Sequence, residues 1–239
     1  MLYLIGLGLT EKSITKEALE IIKKCKKIYL ESYTVEFPYK IEELEKNIGK
    51  KVEKLLRGDV ESLKLVNEAK KENICLLIYG SPLFATTHQT LINDTLNNGI
   101  KVKTIYNASV FDVIGETGLQ LYKFGKISSM PRWQQNYRPD SFLDFVVQNI
   151  SISAHSIILV DIGLKFEDAL LQLDEACKKR NVKLDKIVIV SCLGTEKSSI
   201  YYGILDKLKD KKILVPYCFI IPSYMHFVEE ECLKRFLVL

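Results

Sequence analysis

The sequence contains little of the material that metal and redox sites require. Its 239 residues include three histidines, at His88, His155 and His226, and one tryptophan. Six cysteines are spread along the chain, without a Cys-x-x-Cys pair and without a histidine at zinc-ligand spacing. We therefore expect no metal site and no Ser-His-Asp triad, and we interpret the cysteines as reduced, mostly buried apolar side chains.

Long apolar runs and a dominant charge are also absent. The longest runs, such as Ile74–Tyr79 and Ile157–Val160, are far shorter than the roughly 18 residues that span a bilayer. The first residues lack a basic segment and a small-residue cleavage site, so we expect no secretory signal and a cytoplasmic protein. The net charge of +4 is too small to indicate nucleic-acid binding. We expect neither a membrane nor a nucleic acid as a partner.

Short apolar runs alternate with longer amphipathic stretches, and this alternation predicts an α/β fold. In the first half it predicts strands at Leu2–Gly6, Lys27–Glu31, Ile74–Gly80 and Lys101–Tyr106, and helices at Thr15–Lys24 and Asp59–Lys71. In the second half it predicts strands at Ser156–Asp161, Lys186–Cys192 and Tyr217–Pro222, and helices at Asp140–Asn149, Phe166–Arg180 and His226–Phe236. A glycine-bearing stretch before a polar, proline-bearing one places the domain junction near residue 115, which gives domains 1–114 and 115–239.

Small and polar residues follow several predicted strands. They form the segments Gly6–Thr10, Tyr79–His88 and Tyr106–Val110 in the first half and Asp161–Ile162 and Cys192–Thr195 in the second. Ligands of α/β sheets bind at the carboxyl ends of strands, so we expect a ligand between the two halves. A dinucleotide is disfavoured because Glu11 stands where the Rossmann fingerprint requires a third glycine or alanine.

Two polar residues near the ends of predicted strands receive a structural interpretation from spacing alone. Glu31 ends the second strand, and we interpret it as a solvated strand-end acid. We interpret His88 as a satisfied surface residue, or as a structural or capping histidine, and not as a catalytic base. The stretches Asp59–Lys71 and Glu229–Arg235 are interpreted as solvated amphipathic faces.

Taken in order, seven segments of the chain resemble the diphthine synthases, a family in the tetrapyrrole-methylase group of S-adenosylmethionine-dependent methyltransferases. These segments are Gly6–Leu9, Leu30–Thr34, Ser81–His88, Asn107–Val110, Thr117–Gly125, Tyr137–Phe142 and Ile221–Glu229. They extend over almost the entire chain. The Ala-Thr-Thr-His and Thr-Gly-Leu-Gln-Leu-Tyr elements within them are the most specific to the family.

The resemblance implies a two-domain, tetrapyrrole-methylase-like α/β fold with S-adenosylmethionine in a cleft between the domains, and a homodimer. It implies successive methylation of the amino group on the 3-amino-3-carboxypropyl-histidine of translation elongation factor 2, which gives diphthine and S-adenosylhomocysteine. Eukaryotic relatives also methylate the carboxylate, whereas archaeal relatives make the trimethylated amine. The sequence leaves both products open.

The resemblance also implies a set of cofactor contacts. Carried over by motif, they are Leu9, Ser81, Phe84, Ser109, Val110, Val160, Leu193 and Cys218. Ser81 stands where relatives usually have an aspartate, and Cys218 where they commonly have a histidine, so weaker cofactor binding is a further expectation. No catalytic side chain is expected, because the methyl donor is already activated and the enzyme must mainly align nitrogen, methyl and sulfur.

A cluster in the interdomain stretch is a hypothetical contact for the protein substrate. It contains Arg132, Trp133, Tyr137 and Arg138, residue types that are enriched at interfaces. Contact with a second copy of the chain is an equal alternative for this cluster. Two other functions remain open, namely a tetrapyrrole methyltransferase of the same fold and a catalytically degenerate cofactor-binding or scaffold protein.

Overall fold

The computed structural model describes residues 1–84 and 88–239, which divide into two compact units, Met1–Val110 and Phe111–Leu239. The first unit contains β1 (Leu2–Gly6), α1 (Lys16–Lys24), β2 (Lys27–Glu31), α2 (Ile41–Ile48), β3 (Glu53–Leu55), α3 (Arg57–Val60), α4 (Lys64–Ala69), β4 (Ile74–Ile78), α5 (His88–Asn97) and β5 (Val102–Ile105). Helix α6 (Val110–Val113) spans the division, and β6 (Ser128–Met130), α7 (Phe142–Ser151), β7 (Ser156–Val160), α8 (Phe166–Lys179), β8 (Ile187–Ser191), β9 (Ser199–Gly203), α9 (Leu205–Leu208), β10 (Tyr217–Ile221) and α10 (Phe227–Lys234) follow.

The first unit is a parallel sheet with the strand order β3-β2-β4-β1-β5 and helices on both faces. Successive side chains of a strand point to opposite faces, so Leu4 and Ile5 of β1 enter different cores. One core includes buried residues of α1 and α2, and the other includes those of α4 and α5. Helix α1 begins at a cap, because Thr15 Oγ1 accepts a hydrogen bond from the Ala18 amide at 3.1 Å.

The second unit is a mixed sheet with the order β6-β7-β10-β8-β9. Strand β10 runs antiparallel to both β7 and β8, and β6 runs parallel to β7. One face packs against α7 and α8 in a core that includes Val146, Leu173 and Phe219. The predicted α/β class is confirmed, whereas the 114/115 domain boundary and the cleft between the domains stay predictions.

Most predicted elements are present. The prediction of one continuous helix over Asp59–Lys71 is wrong. The chain forms α3 and α4 there, separated by Glu61–Leu63. Ser62 stabilises the break, because its Oγ donates to Asp59 O at 2.8 Å and accepts from the Lys64 amide. Short elements such as β6 and β9 were missed. No helix within residues 1–84 and 88–239 has the length and apolar character needed to cross a membrane.

Candidate functional site

The loops that follow β1 and β4 are joined by main-chain hydrogen bonds. These strands are parallel neighbours, so their carboxyl ends lie side by side. The Gly8 amide donates to Gly80 O at 3.1 Å, and the Gly80 amide donates to Gly8 O at 3.0 Å. Both residues have a φ of +71°, which side chains rarely permit. The contact between the two loops therefore requires glycine at both positions.

The loop after β5 joins the same edge through Asn107. Its Nδ2 donates to Gly6 O at 3.2 Å and to Ser13 O at 2.9 Å. Gly6 permits the close approach, because a Cβ there would lie 2.7 Å from Gly80 O and 3.0 Å from Asn107 Cβ. Three loops of the first unit thus meet at one edge of its sheet. We call Gly6–Thr10, Tyr79–Phe84 and Tyr106–Val110 the edge loops.

The edge loops carry the predicted cofactor contacts of the first unit. Leu9 and Ser109 are buried, Ser81 and Val110 are half-buried, and Phe84 is exposed. Leu83, between Ser81 and Phe84, has a φ of +69°. Strained backbone of this kind is concentrated at functional sites. The structure therefore places these predicted contacts on neighbouring loops, one of which has a strained backbone.

The chemistry of the edge loops suits an adenosine-bearing sulfonium cofactor. Their sequences contain no Lys or Arg that could bind a pyrophosphate. They offer serine hydroxyls, main-chain groups and apolar side chains such as Leu9 and Val110. S-adenosylmethionine has no phosphate and carries a positive sulfur, so the edge loops fit this cofactor.

The interpretation of Glu31 as solvated and of His88 as a surface residue is wrong. Glu31 is 2% exposed and His88 is fully buried. His88 Nε2 contacts Glu31 Oε2, and Thr34 Oγ1 donates to the other carboxylate oxygen. The pairing explains the burial, because a carboxylate inside a protein needs a partner. Ala85, Thr86 and Thr87, the first part of the Ala-Thr-Thr-His element, lie outside the described residues.

Aromatic rings pack at the start of the second edge loop. The Tyr79 ring lies 5.4 Å from the Phe37 ring and 6.4 Å from the Tyr39 ring, measured between centroids. The Tyr79 hydroxyl donates to Leu9 O at 3.2 Å. Burial, followed by the proximity of Tyr79 and Glu11, raises the pKa of Tyr39. The Tyr39 phenol is therefore a neutral packing group near the first edge loop.

The predicted contacts of the second unit also lie at one edge of a sheet. Strands β7 and β8 end at the edge where the antiparallel β10 begins. Cys218 of β10 is opposite Leu159 in β7 and Val190 in β8. Val160 is the last residue of β7, and Leu193 follows shortly after β8. The structure thus brings Val160, Leu193 and Cys218 to a common edge, and their role as cofactor contacts stays a prediction.

The cysteines at this edge are not nucleophiles. Burial raises the pKa of Cys218 to about 12, and burial also raises the pKa of Cys192. Cys192 Sγ donates to Val215 O at 3.1 Å. Both thiols are therefore protonated near neutral pH and serve as small side chains or weak donors. All six cysteines are free thiols, and all but the partly exposed Cys232 are buried.

The cluster of Arg132, Trp133, Tyr137 and Arg138 is held in place by its own unit. Trp133 Nε1 donates to Pro139 O at 2.9 Å. The Arg138 guanidinium lies 5.5 Å from the centre of the Trp133 ring and 3.7 Å from Glu175 Oε2. Tyr137 is 60% exposed. The cluster therefore presents an ordered surface with an exposed cation and phenol.

A buried carboxylate network is the feature that our sequence reasoning missed. Glu229, interpreted as solvated, is fully buried at the start of α10. Its Oε1 accepts from the Gln120 amide at 2.9 Å and from His155 Nε2 at 3.1 Å, while its Oε2 accepts from the His226 amide at 2.8 Å. Lys123 Nζ pairs with Oε2. Burial opposes ionisation of Glu229, but the Lys123 contact and the other donors outweigh burial and lower its pKa to about 2.

The network gives a structural role to two of the segments that resemble the diphthine synthases. Thr117–Gly125 supplies Gln120 and Lys123, and the end of Ile221–Glu229 supplies the carboxylate. Gly118 is also required there, because a Cβ at this position would lie 2.1 Å from Cys232 Cβ. The segments contained the signal, but only the fold shows that they meet.

Comparison with known proteins agrees with this architecture. Residues 1–209 match the family model of the tetrapyrrole (corrin/porphyrin) methylases. The chain is 37% identical to the diphthine synthase of Methanocaldococcus jannaschii, with 98% of each chain covered. The chain belongs to the tetrapyrrole methylase family, among its diphthine synthases. It is also 34% identical to the diphthine methyl ester synthase of Schizosaccharomyces pombe, with 100% of this chain and 95% of the relative covered.

Solved structures extend the likeness to three dimensions. A crystal structure of diphthine synthase superimposes with a TM-score of 0.90 at 29% identity, covering 99% of this chain and 96% of the other. The predicted family and its α/β fold are therefore confirmed. No group of His, Cys, Asp and Glu within residues 1–84 and 88–239 has the arrangement of a metal site.

Proposed function

We propose that this protein is an S-adenosylmethionine-dependent methyltransferase that makes diphthine on translation elongation factor 2. The observation that carries the proposal is the set of edge loops, joined by the Gly8–Gly80 hydrogen bonds and free of phosphate-binding cations. The family fits this chemistry, since full-length relatives are named diphthine synthase and diphthine methyl ester synthase. Diphthine formation in diphthamide biosynthesis is the reaction that these names imply for this chain.

We propose Leu9, Ser81, Phe84, Ser109 and Val110 as cofactor contacts of the first unit, and Val160, Leu193 and Cys218 as those of the second. S-adenosylmethionine supplies a methyl group already activated on a positively charged sulfur. The protein therefore needs to bind and orient the reactants. Serine hydroxyls would hydrogen-bond the polar groups of the cofactor, and apolar side chains such as Leu9 would pack on its adenosine.

Alignment, not proton transfer, is the main task of the residues present. In this proposal, main-chain carbonyls at Leu9, Ser81 and Ser109 would orient the polarised methyl by weak C–H···O contacts. Holding the attacking amine in line with the methyl and sulfur lowers the entropic part of the barrier. His88 is fully buried and paired with Glu31, so the proton released by the amine goes to water.

The protein partner in this proposal is elongation factor 2, which presents its modified histidine to the site. Arg138 and Tyr137, ordered by Trp133, are the proposed contact with this factor. The proposal includes a homodimer in the cytoplasm that acts without nucleic acid or membrane.

Intact-mass spectrometry tests the proposal directly. Elongation factor 2 bearing the aminocarboxypropyl histidine is incubated with the protein and S-adenosylmethionine. A trimethylated product, or that product with an added methyl ester, supports the proposal and identifies the product class. Excess S-adenosylhomocysteine is the control and should suppress the mass increase.

Other outcomes point to the alternatives. If the protein binds S-adenosylhomocysteine but the mass of elongation factor 2 does not change, the assigned substrate is contradicted. Methylation of a tetrapyrrole would then favour the tetrapyrrole methyltransferase alternative. Absence of cofactor binding would favour a degenerate scaffold, the alternative suggested by Ser81 and Cys218.

A further inference from the structure

The two described ends of the stretch 79–88, on either side of residues 85–87, contact β2 or the chain that follows it. At its start, the Tyr79 ring packs against Phe37 and Tyr39. At its end, His88 begins α5 and contacts Glu31, the last residue of β2. The segment between these attachments contains Ser81 and Phe84, two proposed cofactor contacts.

The Glu31–His88 contact is a strong attachment for physical reasons. Both side chains are buried, so removing one partner takes a close polar contact away from the other inside the protein. The Thr34 hydroxyl donates to Glu31 Oε1, and this fixes the orientation of the carboxylate. A carboxylate next to the first residue of α5 is also favoured by the positive end of the helix dipole.

We infer that Glu31 and His88 are positioning residues that fix the start of α5, four residues after the proposed cofactor contact Phe84. The inference rests on the proposed function, because the cofactor contacts belong to it. Neither residue is catalytic, since both are too buried to meet a substrate. A displacement of about 1 Å at a binding loop is enough to weaken binding and alignment considerably.

Two variants test this role in the full-length protein. Glu31→Gln and His88→Gln keep hydrogen-bonding side chains of similar size but remove the matched pair. We expect each to raise the Kd for S-adenosylhomocysteine about tenfold, measured by calorimetry on folded protein. The KM for S-adenosylmethionine should rise with the Kd, while kcat at saturating cofactor changes less. The double variant should bind no worse than the poorer single variant, because the two residues act as one unit.

A matched control separates positioning from stability. Val66 is buried in α4, within the core that also includes a buried residue of α5. Val66→Ala should lower the urea midpoint, yet its Kd should stay within about twofold of wild type. If Glu31→Gln does not fold, Thr34→Val removes only the orienting hydroxyl and should raise the Kd about threefold.

The outcomes distinguish this inference from the proposed function. A wild-type protein that binds no S-adenosylhomocysteine contradicts the proposed function. If wild type, Glu31→Gln, His88→Gln and Thr34→Val all have the same Kd for S-adenosylhomocysteine, the pair only stabilises the fold.

Discussion

Glu229 and His155 meet in the interior of the second unit, with 3.1 Å between Oε1 and Nε2. The Ser223 amide donates to His155 Nδ1 at 3.0 Å, which leaves the proton of the neutral imidazole on Nε2. Burial lowers the pKa of His155 more than its contact with Glu229 raises it. The histidine is thus a neutral donor that stabilises a buried carboxylate.

This arrangement predicts loss of stability on acidification. The folded pKa of His155 lies below its ordinary value of 6.5, so its contribution is present above that value and is lost as the pH falls through the folded pKa. Glu229, with a pKa of about 2 against an ordinary 4.5, loses its contribution between these values. Urea unfolding followed by the fluorescence of Trp133, the single tryptophan, should show the first loss as the pH falls below 6.5, the ordinary pKa of histidine.

His155→Gln should make the free energy of unfolding depend less on pH in this first range, because the glutamine amide donates to Glu229 without titrating. We call this dependence the first slope. Val146→Ala in the same unit is the control, and it should lower stability while keeping the wild-type slope. An equal slope in wild type and His155→Gln would contradict the assignment.

Glu229→Gln should destabilise the second unit by about 3 kcal/mol, because Lys123 and the surrounding amides lose a buried negative partner. The same fluorescence measurement checks this value. Lys123→Met combined with Glu229→Gln should cost less than the sum of the single changes, since no unpaired ammonium remains. Additive losses would show that Lys123 and Glu229 are not coupled.

The sequence predicted the edge loops, because glycine and small polar residues after apolar strands indicate ligand sites locally. It did not predict that Glu31 and Glu229 are buried, since each carboxylate is compensated by residues distant in the chain, His88 in one case and Lys123 and His155 in the other. Periodicity describes one element at a time, so long-range compensation of a charge is invisible to it. The same limit explains why the short β6 and β9, which depend on pairing with β7 and β8, were missed.

Gly6→Ala should destabilise the first unit by about 2 kcal/mol, because the new Cβ would meet Gly80 O and Pro82 Cδ within 2.8 Å. Chemical unfolding followed by circular dichroism measures this loss. Gly58→Ala is the control, since a Cβ there meets nothing within 4 Å in helix α3, and it should stabilise by about 0.5 kcal/mol. Equal stability of Gly6→Ala and wild type would contradict the close contact between the edge loops.

Arg138→Ala should lower kcat/KM for elongation factor 2 about tenfold while the Kd for S-adenosylhomocysteine stays unchanged, because Arg138 is proposed to contact the factor and not the cofactor. Lys211→Ala is the matched control, since Lys211 also lies over an aromatic ring, that of Tyr201, at 5.6 Å. An unchanged rate for Arg138→Ala would remove the cluster from the proposed interface.

Ser81→Asp tests whether the missing carboxylate of the second edge loop limits cofactor binding. A charge-assisted hydrogen bond is stronger than one from a neutral hydroxyl, so S-adenosylmethionine should bind about tenfold more tightly. Ser129→Asp, at an exposed position of β6, adds the same charge elsewhere and should leave the affinity unchanged. Ser81→Ala should weaken binding, because it removes the hydroxyl that remains. Equal calorimetric Kd values for Ser81→Asp, Ser81→Ala and wild type would place Ser81 outside the cofactor site.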